Sequence, residues 1–192
     1  MSPFTHLFLS WLVAETAPSL SPRERALVTL SGVIPDIDGA GVFVEMATRD
    51  SENPLLWFSQ YHHLLHNALF GATVVAVAML LSKKRALVGA LSVVAFHLHL
   101  LCDIIGARGP DGAQWPIPYL LPFDSRIALA WEHQWSLNAW PNFLITGAAM
   151  IAIVCLARNR GYSIVSLVSK RADREFVEAI RRRFPVAPQS PG

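Results

Sequence analysis

Charge is scarce in this chain. Of its 192 residues only 16% are Asp, Glu, Lys or Arg, where soluble domains carry about a quarter, and 53% are hydrophobic. The formal net charge of +2 is too small to suggest a nucleic-acid partner. Cysteine is scarcer still. Cys102 and Cys155 both lie in apolar runs that predict helices, so no disulfide framework is expected. A basic leader is missing as well, and the N-terminal apolar run is interrupted by His6, so no cleavable signal is expected. What remains is a chain long enough for one compact domain with a real core. Its mean hydropathy of +0.37 is high for a soluble protein and low for a multi-pass transporter.

The charges that are present are segregated. Acidic residues lie mainly before position 133, while Arg158, Arg160, Lys170, Arg171, Arg174, Arg181, Arg182 and Arg183 gather near the C-terminus. Ser169 to Phe184 predicts a basic amphipathic helix suited to anionic lipid or to solvent, and Pro185 to Gly192 a disordered tail. Apolar periodicity predicts helices over Pro3 to Ala17, from Pro22 to about Val33 behind a Ser21 cap, and over Asn142 to Ala157. A long helix is expected from Trp57 to Leu81, then a basic break at Ser82-Lys83-Lys84-Arg85, then an apolar helix from Ala86 to Ile105. The apolar runs Ala68 to Leu81 and Ala86 to Ile105 are each near the lower limit for crossing a bilayer, which takes about 20 residues. They suit a membrane hairpin or the centre of a bundle. The tryptophans and prolines between Trp115 and Trp140 suit a bilayer interface or a rim over the preceding helix.

Against this apolar background a few ionisable residues stand out. In Phe96-His97-Leu98-His99-Leu100-Leu101-Cys102-Asp103, helical phase puts His99 and Asp103 one turn apart, about 40° from each other, and His97 about 200° from His99. His99 and Asp103 can therefore reach one point, and His97 is assigned a supporting role. Pro35-Asp36-Ile37-Asp38-Gly39 suits an irregular turn with both carboxylates inward, or a plain turn and helix cap. Tyr61-His62-His63-Leu64-Leu65-His66 opens the long helix, with His62 and His66 on one face and His63 outward. Three buried imidazoles would need three sets of hydrogen-bond partners, which favours metal ligation by at least two of them. His6 borders an apolar stripe, where a boundary histidine is the plain alternative.

Jointly, His6, Asp36, Asp38, His62, His66, His99 and Asp103 make a nitrogen and oxygen donor set of the kind that binds Zn²⁺ or another first-row divalent ion. Seven candidates exceed one tetrahedral ion, so one or two ions are expected. A non-enzymatic membrane protein holding metal or haem through its histidines is the alternative, although haem leaves the aspartates without a role.

The order of these motifs resembles the YdjM-like proteins, a family of bacterial inner-membrane-associated proteins classed as metal-dependent hydrolases. The resemblance runs over roughly residues 3 to 157 and extends to Gly109-Pro110-Asp111-Gly112, Trp115-Pro116-Ile117-Pro118-Tyr119 and Asn138-Ala139-Trp140-Pro141-Asn142. The commoner family pattern has Arg after the first cluster histidine and Thr-His-Ser at the second. Here the stretch is His62-His63-Leu64-Leu65-His66-Asn67, which leaves His62 and His63 as alternatives. A more distant similarity in motif order links the family to zinc-dependent phospholipases C and P1-type nucleases. That similarity implies one ion held by Asp36 or Asp38, a histidine of the 62–66 cluster, His99 and Asp103. It implies a second held by His6 and a shared carboxylate, while the remaining zinc site of the phospholipases has no counterpart.

The expectation is thus an all-α, membrane-associated helical bundle in which about two to four apolar helices span or dip into the bilayer. Residues 1–160 would form a metal-binding, hydrolase-like domain and 161–192 a basic helix and tail. The ion would lower the pKa of a water that Asp36 or Asp38 orients or deprotonates, for attack on a phosphoester. Membrane lipid and a small or lipid-like substrate are the expected partners, at the bacterial inner membrane.

Overall fold

A computed structural model describes residues 1–109 and 112–185, so the predicted tail beyond Pro185 and the Pro110-Asp111 pair lie outside the described residues. The helices are α1 (Pro3–Glu15), α2 (Pro22–Ser31), α3 (Gly41–Thr48), α4 (Trp57–Tyr61), α5 (Ala68–Leu80), α6 (Arg85–Gly106), α7 (Trp140–Arg160) and α8 (Lys170–Arg183). Two 3₁₀ segments, Ile34–Ala40 and Ile164–Leu167, complete the set, and no strand occurs among the described residues. The fold is all-α, as the periodicity predicts.

Local chemistry sets the boundaries. Ser2 caps α1, with Pro3 in the first turn where its missing N–H costs nothing. Ser21 and Glu24 form a capping box at the start of α2: the Ser21 amide donates to Glu24 Oε2 at 2.9 Å, and the Glu24 amide to Ser21 Oγ at 3.3 Å. Trp140-Pro141 opens α7 for the same reason as Pro3, two residues before the expected start. Gly161, in the left-handed region at φ 80°, closes it.

One expected helix is two. The run from Trp57 to Leu81 breaks at residues 62–67, between α4 and α5. The Leu65 amide donates to Asp38 Oδ2 at 3.0 Å instead of entering a helical ladder. Asn67, with an extended backbone, restarts the helix by accepting from the Phe70 amide at 2.9 Å. The Pro-Asp-Ile-Asp turn is likewise a 3₁₀ segment, with Pro35 in its first turn.

α1, α2, α5 and α7 pack around α6 or each other with alternating direction. Trp11, Ala14, Val28, Val88, Ala95 and Phe96 are fully buried between them. Gly32 is required where α1, α2 and α6 meet, because a Cβ there would lie 2.0 Å from Ser10 Oγ and 2.8 Å from the Ala95 carbonyl oxygen. Outward faces are as apolar as the core: Leu80 is 71% exposed, Phe143 68% and Ile151 64%. Such a surface is stable against lipid rather than water. Helices α6 and α7, of 22 and 21 residues, are long and apolar enough to cross a membrane. The 54° bent pair of Pro22–Ser31 with Ile34–Thr48 makes a third span if counted as one. Cys102 and Cys155 are both free thiols.

The loop from 107 to 139 closes over the end of α6. Gln134 Nε2 donates to the Asp103 carbonyl at 2.8 Å, the Trp135 amide to the Ile105 carbonyl at 3.0 Å, and Asn142 Nδ2 to the Gly106 carbonyl at 2.9 Å. These bonds satisfy helix-terminal carbonyls that no left-handed glycine caps.

Candidate metal centre

Four segments that are far apart in sequence meet beside α6. α6 contributes His99 and Asp103, α1 contributes His6, the 3₁₀ segment Asp36 and Asp38, and the turn before α5 His62 and His66. One donor atom from each of His6, Asp36, His99 and Asp103 lies within 4.8 Å of the other three. His99 Nε2 is 3.1 Å from Asp103 Oδ2 and 3.7 Å from Asp36 Oδ1, and His6 Nε2 is 3.1 Å from Asp103 Oδ1. The His6 and His99 rings stack with centroids 3.8 Å apart. Both imidazoles are 1% exposed.

The hydrogen bonds decide which nitrogen faces the group. His99 Nδ1–H donates to the Gly32 carbonyl at 2.9 Å, so in the neutral ring Nε2 carries the lone pair that points at the carboxylates. That is the arrangement of a metal-binding histidine whose second nitrogen is tied to backbone. His66 repeats it with a carboxylate, its Nδ1 lying 3.3 Å from Asp38 Oδ2 and its Nε2 3.1 Å from His99 Nε2. His66 Nε2 also lies 3.6 Å from Asp103 Oδ2. Two imidazole nitrogens facing each other need a proton or a cation between them.

Without a metal that role falls to a proton. Burial pulls the His66 pKa down, but the adjacent Asp103 and Asp38 carboxylates, which stabilise its charged form, outweigh it and raise it to about 9. His62 moves the other way, to about 4, because burial and the neighbouring His63 oppose its charge more than Asp38 supports it.

The donor set fits a divalent ion on a second count, its unspent lone pairs. Buried His6 Nδ1, Asp36 Oδ2, Asp38 Oδ1 and His62 Nδ1 have no hydrogen-bond partner. Asp38 Oδ1 and His62 Nδ1 face each other at 3.6 Å, too far for a hydrogen bond. Buried polar atoms left unpaired are costly, and a cation would satisfy several together. A cavity of about 450 Å³ opens beside them, with Asp36, His62 and Asp103 on its polar side and Met1, Val42, Phe43, Phe58, Trp115 and Leu137 on its apolar side.

All seven expected residues thus lie in one connected cluster. His6, Asp36, His99 and Asp103 form its tight centre, His66 adjoins them, and Asp38 and His62 reach it through His66. His62 lines the cavity, whereas the His63 ring packs edge-on to Trp115. His97 lies outside the cluster, donating from Nδ1 to the Val93 carbonyl and accepting from the Tyr119 hydroxyl, each at 2.9 Å. Three participants escaped the sequence: the Gly32 carbonyl, Gln134 on the Asp103 carbonyl, and the Met1 amino group, which contacts Asp103 Oδ1. None carries a motif, since each acts through backbone or through a contact fixed only by the fold.

The sequence profile of the YdjM inner membrane proteins matches residues 1–170. The chain belongs to that family. The YdjM match runs past residue 157, where the resemblance was expected to end, and takes in the Ile164–Leu167 turn. It places this YdjM member at the inner membrane, in agreement with its lipid-suited helices. No curated protein and no solved structure matches the chain, so the expected similarity to phospholipases C and P1-type nucleases gains no support from either comparison.

Proposed function

We propose that this inner membrane protein is a metal-dependent hydrolase acting on phosphoester bonds, with one or two divalent ions, Zn²⁺ foremost, held by the His/Asp cluster. One observation carries the reading: two histidines, one with its lone pair directed by a backbone hydrogen bond, and two carboxylates converge beside a cavity large enough for a substrate. His6, Asp36, His99 and Asp103 would hold the first ion, and His66 with the adjacent carboxylates a second. When bound, such ions supply Lewis acidity, lower the pKa of a nearby water and offset developing phosphoryl charge.

The chain's own groups divide the remaining work. Asp36 faces the cavity with Oδ2 unpartnered, which suits it to accept a proton from the attacking water. Asp38 is engaged with the His66 ring and the Leu65 amide and is a positioning residue. The apolar side of the cavity excludes bulk water and fits an amphiphilic or other small organic phosphoester. Haem is the poorer occupant, because the 3.1 Å between His66 Nε2 and His99 Nε2 leaves no room for a porphyrin plane between two axial imidazoles.

Detergent-purified protein supplied with Zn²⁺ or Mn²⁺ should hydrolyse bis(p-nitrophenyl) phosphate or a phospholipid in vesicles. EDTA should abolish turnover, and Asp36→Asn should lower kcat by about two orders of magnitude even at saturating metal ion. Retained metal without turnover of phosphomonoesters, phosphodiesters or phospholipid would refute the hydrolase reading and leave a metal-binding membrane protein. A Soret band in the purified protein would replace it with haem binding.

A further inference from the structure

The helices give the molecule two chemically different ends. At one end lie the C-terminus of α1, the start of α2, the α5–α6 turn, the end of α7 and α8. Their juxtaposition is fixed by contacts: Arg160 reaches the Glu15 carbonyl at 3.0 Å, Arg25 reaches the Tyr162 hydroxyl at 3.0 Å, and Ser82 reaches Glu24 at 2.9 Å. All but Arg49, Arg108 and Arg126 of the chain's 16 Lys and Arg residues belong to these segments. At the other end lie the start of α1, the 3₁₀ turn, α3, α4 and the 107–139 loop, joined by Asp103, Trp135 and Asn142. Every tryptophan except Trp11 belongs to that end, with Trp140 74% and Trp57 49% exposed.

Lys and Arg flanking membrane spans are retained on the cytoplasmic side, and exposed tryptophan gathers at the bilayer interface. The flanks here are short and asymmetric. Lys83, Lys84 and Arg85 connect α5 to α6, and Arg158 and Arg160 end α7, whereas the 107–139 connection between α6 and α7 carries Arg108 and Arg126 alone. Arg126 is already neutralised by Asp124, with bonds of 2.9 and 3.0 Å. The basic face of α8 extends the same asymmetry, and anionic headgroups of the cytoplasmic leaflet complement it.

We propose that the basic end is cytoplasmic and that the His/Asp cluster opens at the extracytoplasmic face of the inner membrane. His99 sits seven residues before the end of α6, about 10 Å below it at the helical rise, so the cluster lies within the outer third of the span. The cavity beside it is bounded by Phe43, Trp115 and Leu137 from the tryptophan-bearing end. Substrate and metal ion therefore enter from the extracytoplasmic side, and a phosphoester in the outer leaflet or the periplasm is in reach where a cytosolic one is not. This sidedness stands whether or not the cluster hydrolyses anything.

The test is thiol accessibility in the full-length protein. Ser125→Cys and Glu52→Cys place reporters on exposed loops of the cluster end, and Lys83→Cys places one on the exposed basic turn. Cys102 is buried and Cys155 is exposed on the apolar α7, so the reporters are placed in a Cys155→Ala chain, whose own labelling is the background. In right-side-out spheroplasts a membrane-impermeant maleimide should label Ser125→Cys and Glu52→Cys, and Lys83→Cys only after the membrane is permeabilised. The reverse pattern would invert the molecule and overturn the proposal. Labelling of all three in intact spheroplasts, or of none until permeabilisation, would overturn it too, because the two ends would then share one side. None of these results depends on activity, so they are separable from failure of the hydrolase reading.

Discussion

At the scale of single residues, the cluster works by controlling where lone pairs point. Asp38 shows how. Its Oδ2 takes the His66 Nδ1 side and the Leu65 amide, which turns His66 Nε2 towards His99 and Asp103. Asp38→Asn removes that negative charge, so in chelator-treated protein the His66 pKa should fall from about 9, which NMR titration of the imidazole measures. The sign for stability follows. A histidine whose folded pKa lies above 6.5 contributes stability that is complete below 6.5 and lost as pH rises towards about 9. The metal-free protein should therefore melt at lower temperature at pH 9 than at pH 6, and Asp38→Asn should flatten that dependence. With metal present the same variant should weaken affinity by about 10–100-fold, the usual effect of losing a carboxylate behind a ligand histidine.

His97 supplies the matching control. It shares α6 with His99 and is spent on Val93 and Tyr119, so His97→Ala should keep full metal affinity in a Zn²⁺ titration. Loss of binding in His97→Ala with retention in His99→Ala would mean that the wrong face of α6 holds the ion.

At the scale of elements, helices framed by caps and prolines were legible in the sequence. Ser21-Pro22-Arg23-Glu24 announces α2, and the basic break at Lys83-Lys84-Arg85 separates α5 from α6. The phase argument on α6 was legible as well, because a single regular helix fixes the angle between His99 and Asp103. The break at residues 62–67 was not. What stops the helix is Asp38, 27 positions away from Leu65, whose carboxylate takes the Leu65 amide. A tertiary acceptor leaves no local trace, and the His62–His66 pairing inferred from a continuous helix arises instead from an irregular turn. Gly32 lies just before the Pro-Asp turn in the sequence, but its need to be glycine comes from two other helices. Gly32→Ala should force α1 and α6 away from α2 and cost about 1–3 kcal/mol, read as a lowered thermal midpoint. It should also weaken metal binding, since the Gly32 carbonyl orients His99.

At the scale of the whole molecule, the charged and ion-paired side chains gather at the two ends of an apolar bundle. The end away from the His/Asp cluster is closed by Glu15, which is 2% exposed. It accepts from Tyr162 at 2.9 Å, pairs with Arg25 at 2.5 Å and also pairs with Arg160. This ties α1 and α2 to the end of α7, and no motif marked Glu15 because its partners come from two distant segments. Glu15→Ala leaves Arg25 buried without its anion and should cost about 3–5 kcal/mol, measured by thermal unfolding in detergent. Its metal content should stay unchanged at temperatures where it remains folded, because the two polar ends share no residue.

The most direct test of the whole account is metal content. Protein purified from membranes without chelator, analysed by inductively coupled plasma mass spectrometry, should carry one or two equivalents of a divalent first-row ion. His99→Ala and Asp103→Ala should each lose it, and His97→Ala should keep it. Wild-type protein that carries no such ion, takes none up on titration and melts at the same temperature with or without EDTA would contradict the account, and the seven residues would then be a polar network that satisfies itself.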